Sequence, residues 1–161
     1  MKQEKILSHV DDQGKVRMVD VSSKPDSARS AIAGCTVQLS DQTFALLQDQ
    51  ALPKGDVLTT AQVAGIQAGK QTAQLIPMCH PVPLSHIDVH FQLAPETARI
   101  HIQAQAKTVA GTGVEMEALV AAQVAALTIY DMCKAVQRDI VISDCKLLYK
   151  TGGRSGTYDI R

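Results

Sequence analysis

Asp131 and Lys134 stand three residues apart in the stretch LTIYDMCKA. In a helix that spacing puts them on neighbouring positions of one face. Their surroundings are Ala, Leu, Val, Ile and Met, and ionised side chains on an apolar helix have to be paired or bound to something. One reading is an ion pair at the frayed end of a core helix. The other is a carboxylate and an ammonium held in a dry pocket, with pKa values shifted for proton transfer. His80 sits in PMCHPVP between Pro77, Pro81 and Pro83, whose fixed φ stiffens the connection that displays it; a hydrogen-bonded structural histidine is the plainer reading. Lys150 and Arg154 flank the Gly-rich run TGGRSG. Its N–H groups could face a phosphate, but the helix that would complete a P-loop is missing, and a flexible turn is again plainer.

The elements that must position these residues are legible from periodicity and caps. Thr112 and Glu115 have the spacing of a capping box, which predicts a helix over 112–138. From Ala118 to Val136 that helix is apolar on nearly every side, with no Gly or Pro, and is expected to be buried. Gln123, Thr128 and Asp131 interrupt it well short of the twenty or so apolar residues a membrane span requires. Residues 30–39 alternate as a strand, Ser40 caps a short helix through Gln50, and an amphipathic helix runs from Asp56 until Pro77 ends it. Residues 85–93 and 99–107 alternate cleanly around Pro95-Glu96-Thr97 and read as a hairpin with one wet face. His86, His90 and His101 fall on that face, but no carboxylate or thiolate completes a familiar ligand spacing, so no metal is expected. Residues 140–150 supply a last strand. The resulting order predicts an α+β fold, the ferredoxin-like βαββαβ arrangement with helices on one face of an antiparallel sheet.

Length and composition narrow the class. The chain has 161 residues, which suits one domain, placed over residues 28–161 behind a polar, mobile arm over 1–27 that includes a turn signal at Asp11–Gly14. Lys plus Arg and Asp plus Glu each total 16, so no net field favours nucleic acid or an anionic membrane. Three Tyr, two Phe and no Trp argue against a base-stacking surface. Cys35, Cys79, Cys133 and Cys145 show no C-x-x-C spacing and read as reduced, buried small residues, which with a polar N-terminus places the protein in the cytoplasm. A long apolar helix in a chain with few aromatics predicts that a partner subunit covers part of it.

Taken together, MVDVS at 18–22, KGDV at 54–57, AGIQAGKQT at 64–72, IPMCHP at 76–81, TGVEMEAL at 112–119, LTIYDMCKA at 127–135 and KTGGRSG at 150–156 resemble the cyclic pyranopterin monophosphate synthase family of molybdenum cofactor (molybdopterin) biosynthesis. The resemblance implies a lyase that rearranges cyclised GTP, 3′,8-cyclo-7,8-dihydro-GTP, to the pterin product with loss of diphosphate, without metal or other cofactor. It implies catalytic roles for Asp131, Lys134 and Lys54, and a substrate site lined by Met78, Cys79, His80, Met116 and Glu117, with Glu115 and Asp20 as further candidates. It also implies a homo-hexamer, a trimer of dimers with sites at subunit contacts. The chemistry needs protons moved on and off ring atoms, which Asp131, Lys134, Lys54 and His80 could do with pKa values drawn toward neutrality. It also needs cations for the phosphates, for which Lys70, Lys150, Arg154 and Arg29 are candidates. Two positions depart from the family pattern: Gly111 where Lys is frequent, and Arg154 where Lys is common, which keeps charge but changes hydrogen-bond geometry. The competing class is a catalytically silent module that binds a nucleotide or pterin and regulates a partner.

Overall fold

The computed structural model describes residue 10 and residues 13–161. Part of the expected N-terminal arm, including Asp11 and Asp12 of its turn signal, lies outside the described residues. The strands are β1 (Ser27–Gln38), β2 (Leu84–Ala94), β3 (Arg99–Ala110), β4 (Val141–Thr151) and β5 (Tyr158–Asp159), and the helices are α1 (Asp41–Gln48), α2 (Val57–Lys70), α3 (Thr72–Leu75) and α4 (Glu115–Cys133). They form one antiparallel sheet in the order β2-β3-β1-β4-β5. β3 lies between β1 and β2, and β1 lies between β3 and β4, so each βαβ unit is split by a strand of the other. The fold is α+β.

Alternation decides which face is covered. On β3, Ile100, Ile102, Ala104, Ala106 and Thr108 are buried, and on β1 so are Ala31, Ala33, Cys35 and Val37. This shared face carries α2 and α4. The two helices approach closely because small residues line their seam: a Cβ at Gly65 would stand 2.7 Å from the Ala121 carbonyl oxygen, nearer than packed atoms tolerate. Caps were readable in advance. Ser40 Oγ accepts the Thr43 N–H at 3.2 Å, and Asp56 Oδ1 accepts the Thr59 N–H at 3.0 Å.

Several expectations need correction. No capping box forms at Thr112. The residue flanking α4 is Val114, with no side-chain cap, because the Glu115 carboxylate turns to Lys150 instead, at 3.0 Å. α4 ends at Cys133 rather than Arg138. It is not enclosed on all sides either: Leu127 and Asp131 are exposed, and Met116, Leu119, Val120, Val124 and Thr128 only half-covered. α2 stops at Lys70, where the Thr72 hydroxyl takes the Gly69 carbonyl at 2.9 Å and a separate turn, α3, follows before Pro77. Strand β5 was not foreseen, since two residues carry no period. Of the four cysteines only Cys35 and Cys133 are buried; Cys79 is half-covered and Cys145 exposed. Burial pushes the Cys35 thiol up to about 12 and Cys133 to about 11, so both behave as small apolar groups. α4 is long and apolar enough by composition to cross a membrane, and half of that window is buried within the fold.

Candidate active site

The residues singled out for chemistry fall into two groups at opposite ends of α4. At its C-terminal end Asp131 lies between two ammonium groups, with Oδ1 2.6 Å from Lys134 Nζ and Oδ2 2.8 Å from Lys54 Nζ. Lys54 arrives on the α1–α2 connection and also donates to the Asp131 carbonyl at 2.9 Å. The hydrogen bond from Lys134, then that from Lys54, hold the Asp131 carboxyl down at about 2, and the Asp131 partner raises Lys134. The three side chains are 53%, 52% and 42% exposed for Asp131, Lys134 and Lys54. Within one chain, therefore, the dry pocket with values drawn toward neutrality does not exist. A carboxylate between two cations is stabilised as an anion, and it stabilises the Lys134 ammonium in turn.

At the N-terminal end of α4 a cavity of about 310 Å³ is lined by Val19, Met78, Cys79, His80, Met116 and Glu117. The Pro-rich loop delivers His80, whose Nε2 is 2.7 Å from the Val19 carbonyl oxygen. A carbonyl only accepts, so Nε2 carries a proton, and in the neutral ring Nδ1 remains an acceptor. Glu117 is 5% exposed, and burial pushes its carboxyl up, with Glu115 adding to the rise. Burial likewise raises the Cys79 thiol, helped by Glu117. The cavity thus offers a carboxyl of raised pKa and an imidazole.

A second cavity of about 580 Å³, lined by Lys24, Arg29, Lys150, Arg154 and Ser155, shares Lys24, Thr112, Gly113 and Glu115 with the first. The two are contiguous. Lys150 Nζ donates to Glu115 Oε1 and to Ser155 Oγ, each at 3.0 Å, and Arg29 Nε donates to the Ala110 carbonyl at 2.9 Å. The α4 N-terminus, without a side-chain cap, adds its own partial positive charge. Cations gathered at one wall suit a polyanion such as a phosphate chain.

The structure brings together Met78, Cys79, His80, Met116, Glu115, Glu117, Lys150, Arg154 and Arg29. It leaves others out. Lys70 lines a neighbouring cavity beside His86 that meets the first only at Val82, and Asp20 turns to its own neighbour Ser22, whose N–H and hydroxyl it accepts at 2.8 and 2.6 Å. Ser22 holds the Asp20 carboxyl below its usual range. Asp131 lies sixteen residues along α4 from Glu115, roughly 24 Å at 1.5 Å per residue, and Lys54 and Lys134 are paired to it there. Lys24 was missed: it borders both cavities, and the only signal was the Lys24-Pro25 dipeptide, which marks a fixed turn and says nothing of charge. Gly111 lies against that same turn, where an added Cβ would be 3.2 Å from the Lys24 carbonyl oxygen.

Known proteins similar to this chain match it over most of its length. The chain is 58% identical over 152 residues to the cyclic pyranopterin monophosphate synthase of Oleidesulfovibrio alaskensis, covering 94% of this chain and 96% of that one. It is 55% identical to the protein of the same name from Nitratidesulfovibrio vulgaris, covering 98% of both. Molybdenum cofactor biosynthesis protein 1 of Homo sapiens is 53% identical over 94% of this chain, which spans 24% of that longer protein. The MoaC family model matches residues 18–153, a span that includes every predicted site residue except Arg154, and the chain belongs to the MoaC family.

Proposed function

We propose that this protein is a lyase of molybdenum cofactor biosynthesis that converts 3′,8-cyclo-7,8-dihydro-GTP to cyclic pyranopterin monophosphate and diphosphate. The observation that carries the reading is the pair of contiguous cavities at the start of α4, one walled by cations and the other holding Glu117 and His80 among apolar side chains. A nucleotide-derived substrate has the same division: an anionic phosphate chain joined to a flat heterocycle. Lys24, Arg29, Lys150 and Arg154 neutralise the phosphates as charge shifts toward the leaving diphosphate. Glu117, whose carboxyl burial raises above its ordinary value, and His80 Nδ1 exchange protons with the ring system.

Asp131, Lys134 and Lys54 complete the site from a second protomer. One substrate cannot touch both ends of a helix this long, and the half-covered apolar side chains of α4, with exposed Val63 on α2 and Leu127, supply a surface for self-association. A symmetric dimer makes two such composite sites, and a trimer of dimers, the homo-hexamer implied by family resemblance, makes six. Inside that contact the Asp131 ion pair loses water, and each of its interactions strengthens.

The test is release of diphosphate when the purified protein meets freshly prepared cyclised GTP, with oxidised pterin followed by fluorescence and EDTA in a parallel sample. Diphosphate and pterin appearing together, with or without EDTA, is the expected result. Binding of the substrate by the folded protein with neither product formed would sink the reading and leave a silent binding module.

A further inference from the structure

We infer that Arg161, acting with Asp159 and Tyr149, is a positioning device that holds the 152–156 loop in its phosphate-binding shape; the inference rests on the function proposed above. The loop joins β4 to β5 and has little to stiffen it from within. Gly152, Gly153 and Gly156 have φ of +95°, +76° and +68°. Glycines in that region lose more conformational freedom on ordering than any other residue. The returning strand β5 is two residues long, pairing Asp159 with Tyr149 and Tyr158 with Lys150. Such a ladder frays unless something beyond it holds.

Arg161 supplies that hold. Its Nη2 and Nε donate to Asp159 Oδ2 and Oδ1 at 2.6 and 2.9 Å, a two-pronged pair with fixed geometry. The guanidinium carbon lies 4.2 Å from the centre of the Tyr149 ring, within cation–π range. The adjoining Ile160 N–H donates to the Leu148 carbonyl at 2.9 Å. The guanidinium therefore locks β5 onto β4 at the residue next to Lys150.

The loop itself closes on the cations. The Thr151 and Thr157 hydroxyls lie 3.3 Å apart across its neck, and Ser155 Oγ accepts from Lys150. A Cβ at Gly153 would strike the Arg29 guanidinium and one at Gly152 the Ala28 carbonyl, so the loop backbone lies directly on Arg29. Releasing β5 frees the loop, and with it Ser155 and the register of Lys150 and Arg154, while Glu117, His80 and the Asp131 group stay where they are.

The test compares Arg161→Ala, Tyr149→Ala and Tyr149→Phe with the parent protein. Arg161→Ala and Tyr149→Ala are each expected to raise KM for cyclised GTP by about 3- to 10-fold with kcat within about twofold. They should weaken competitive inhibition by inorganic triphosphate by the same factor. Tyr149→Phe keeps the ring face and should match the parent. Amide exchange over residues 152–157 should quicken in the two alanine variants. Unchanged KM and unchanged loop exchange would overturn the inference, as would an equal fall in kcat and thermal midpoint with KM unmoved. Should the parent show no turnover, the proposed reaction fails by itself; triphosphate binding by calorimetry and loop exchange then still decide the clamp, and absence of triphosphate binding by the parent overturns it.

Discussion

Asp131 draws its character from two neighbours. Held at about 2 by Lys134 and Lys54, it is fully ionised wherever the protein works. Its contribution to stability is complete above about pH 5 and is lost progressively as pH falls through about 2. Asp131→Asn keeps the shape and removes the charge. Because the side chain is half-exposed, the thermal midpoint should hardly move, whereas turnover measured by diphosphate release should fall by about 10² to 10⁴ with substrate binding retained. Unchanged turnover would remove Asp131 from the chemistry. Glu117 shows the opposite behaviour: buried and raised, it costs the fold stability when it ionises. That cost is absent below the ordinary carboxylate range and grows as pH rises through its elevated pKa. Glu117→Gln should therefore be more stable than the parent at pH 8 and equal to it near pH 4 in paired urea titrations. A gap that does not change with pH would mean that Glu117 is not raised.

The α2–α4 seam decides where both ends of α4 lie, since the sheet beneath offers only a flat apolar face. Its weakest tolerance is at Gly65. Alanine favours a helix over glycine by about 1 kcal/mol, but its Cβ would stand 2.7 Å from the backbone oxygen of Ala121 and 3.2 Å from the Ala125 Cβ. Backbone cannot swing aside as a flexible side chain does, so the helices must separate, at about 1 to 3 kcal/mol. The net effect of Gly65→Ala is expected to be destabilising, read as a thermal midpoint lower by a few degrees. A midpoint raised above the parent would show that the seam has slack. The same element carries a sequence lesson. The caps at Ser40 and Asp56 were readable because a cap is a contact over three residues, whereas Glu115 abandoned its expected cap for Lys150, thirty-five residues away.

At the scale of the whole molecule, the two groups of candidate residues make a sharp prediction about assembly. If each site takes His80 and Lys150 from one protomer and Asp131 and Lys134 from its partner, then Asp131→Asn and His80→Ala are defects in opposite halves. Each alone should be nearly inactive. Co-expressed in equal amounts, half of the dimers are mixed, and each mixed dimer holds one intact site, so activity should return to about a quarter of the parent. Mixed preparations no more active than the separate variants would mean that each site is built within one chain. The apolar side chains left half-covered on α4 and the exposed Val63 and Leu127 belong to the same account, because they lie on α4, which carries Asp131, and on α2, which packs against it.

The sequence by itself determined what short-range physics determines. Alternation over 85–93 and 99–107 became β2 and β3 because a strand's period needs only its own residues, and the order of the motifs carried the family. Tertiary structure alone decided which charges meet. Lys150 reaches Glu115 because β4 lies beside β1 in the sheet and brings the end of one strand to the start of α4. Lys24 joins the same wall because a turn closes against Gly111, while Lys70, equally basic and equally well placed in a recognisable motif, ends beside His86. Such long-range pairings depend on chain crossings that no local window contains. For that reason the chemical types of the residues were legible, and their division between the two ends of α4 was not.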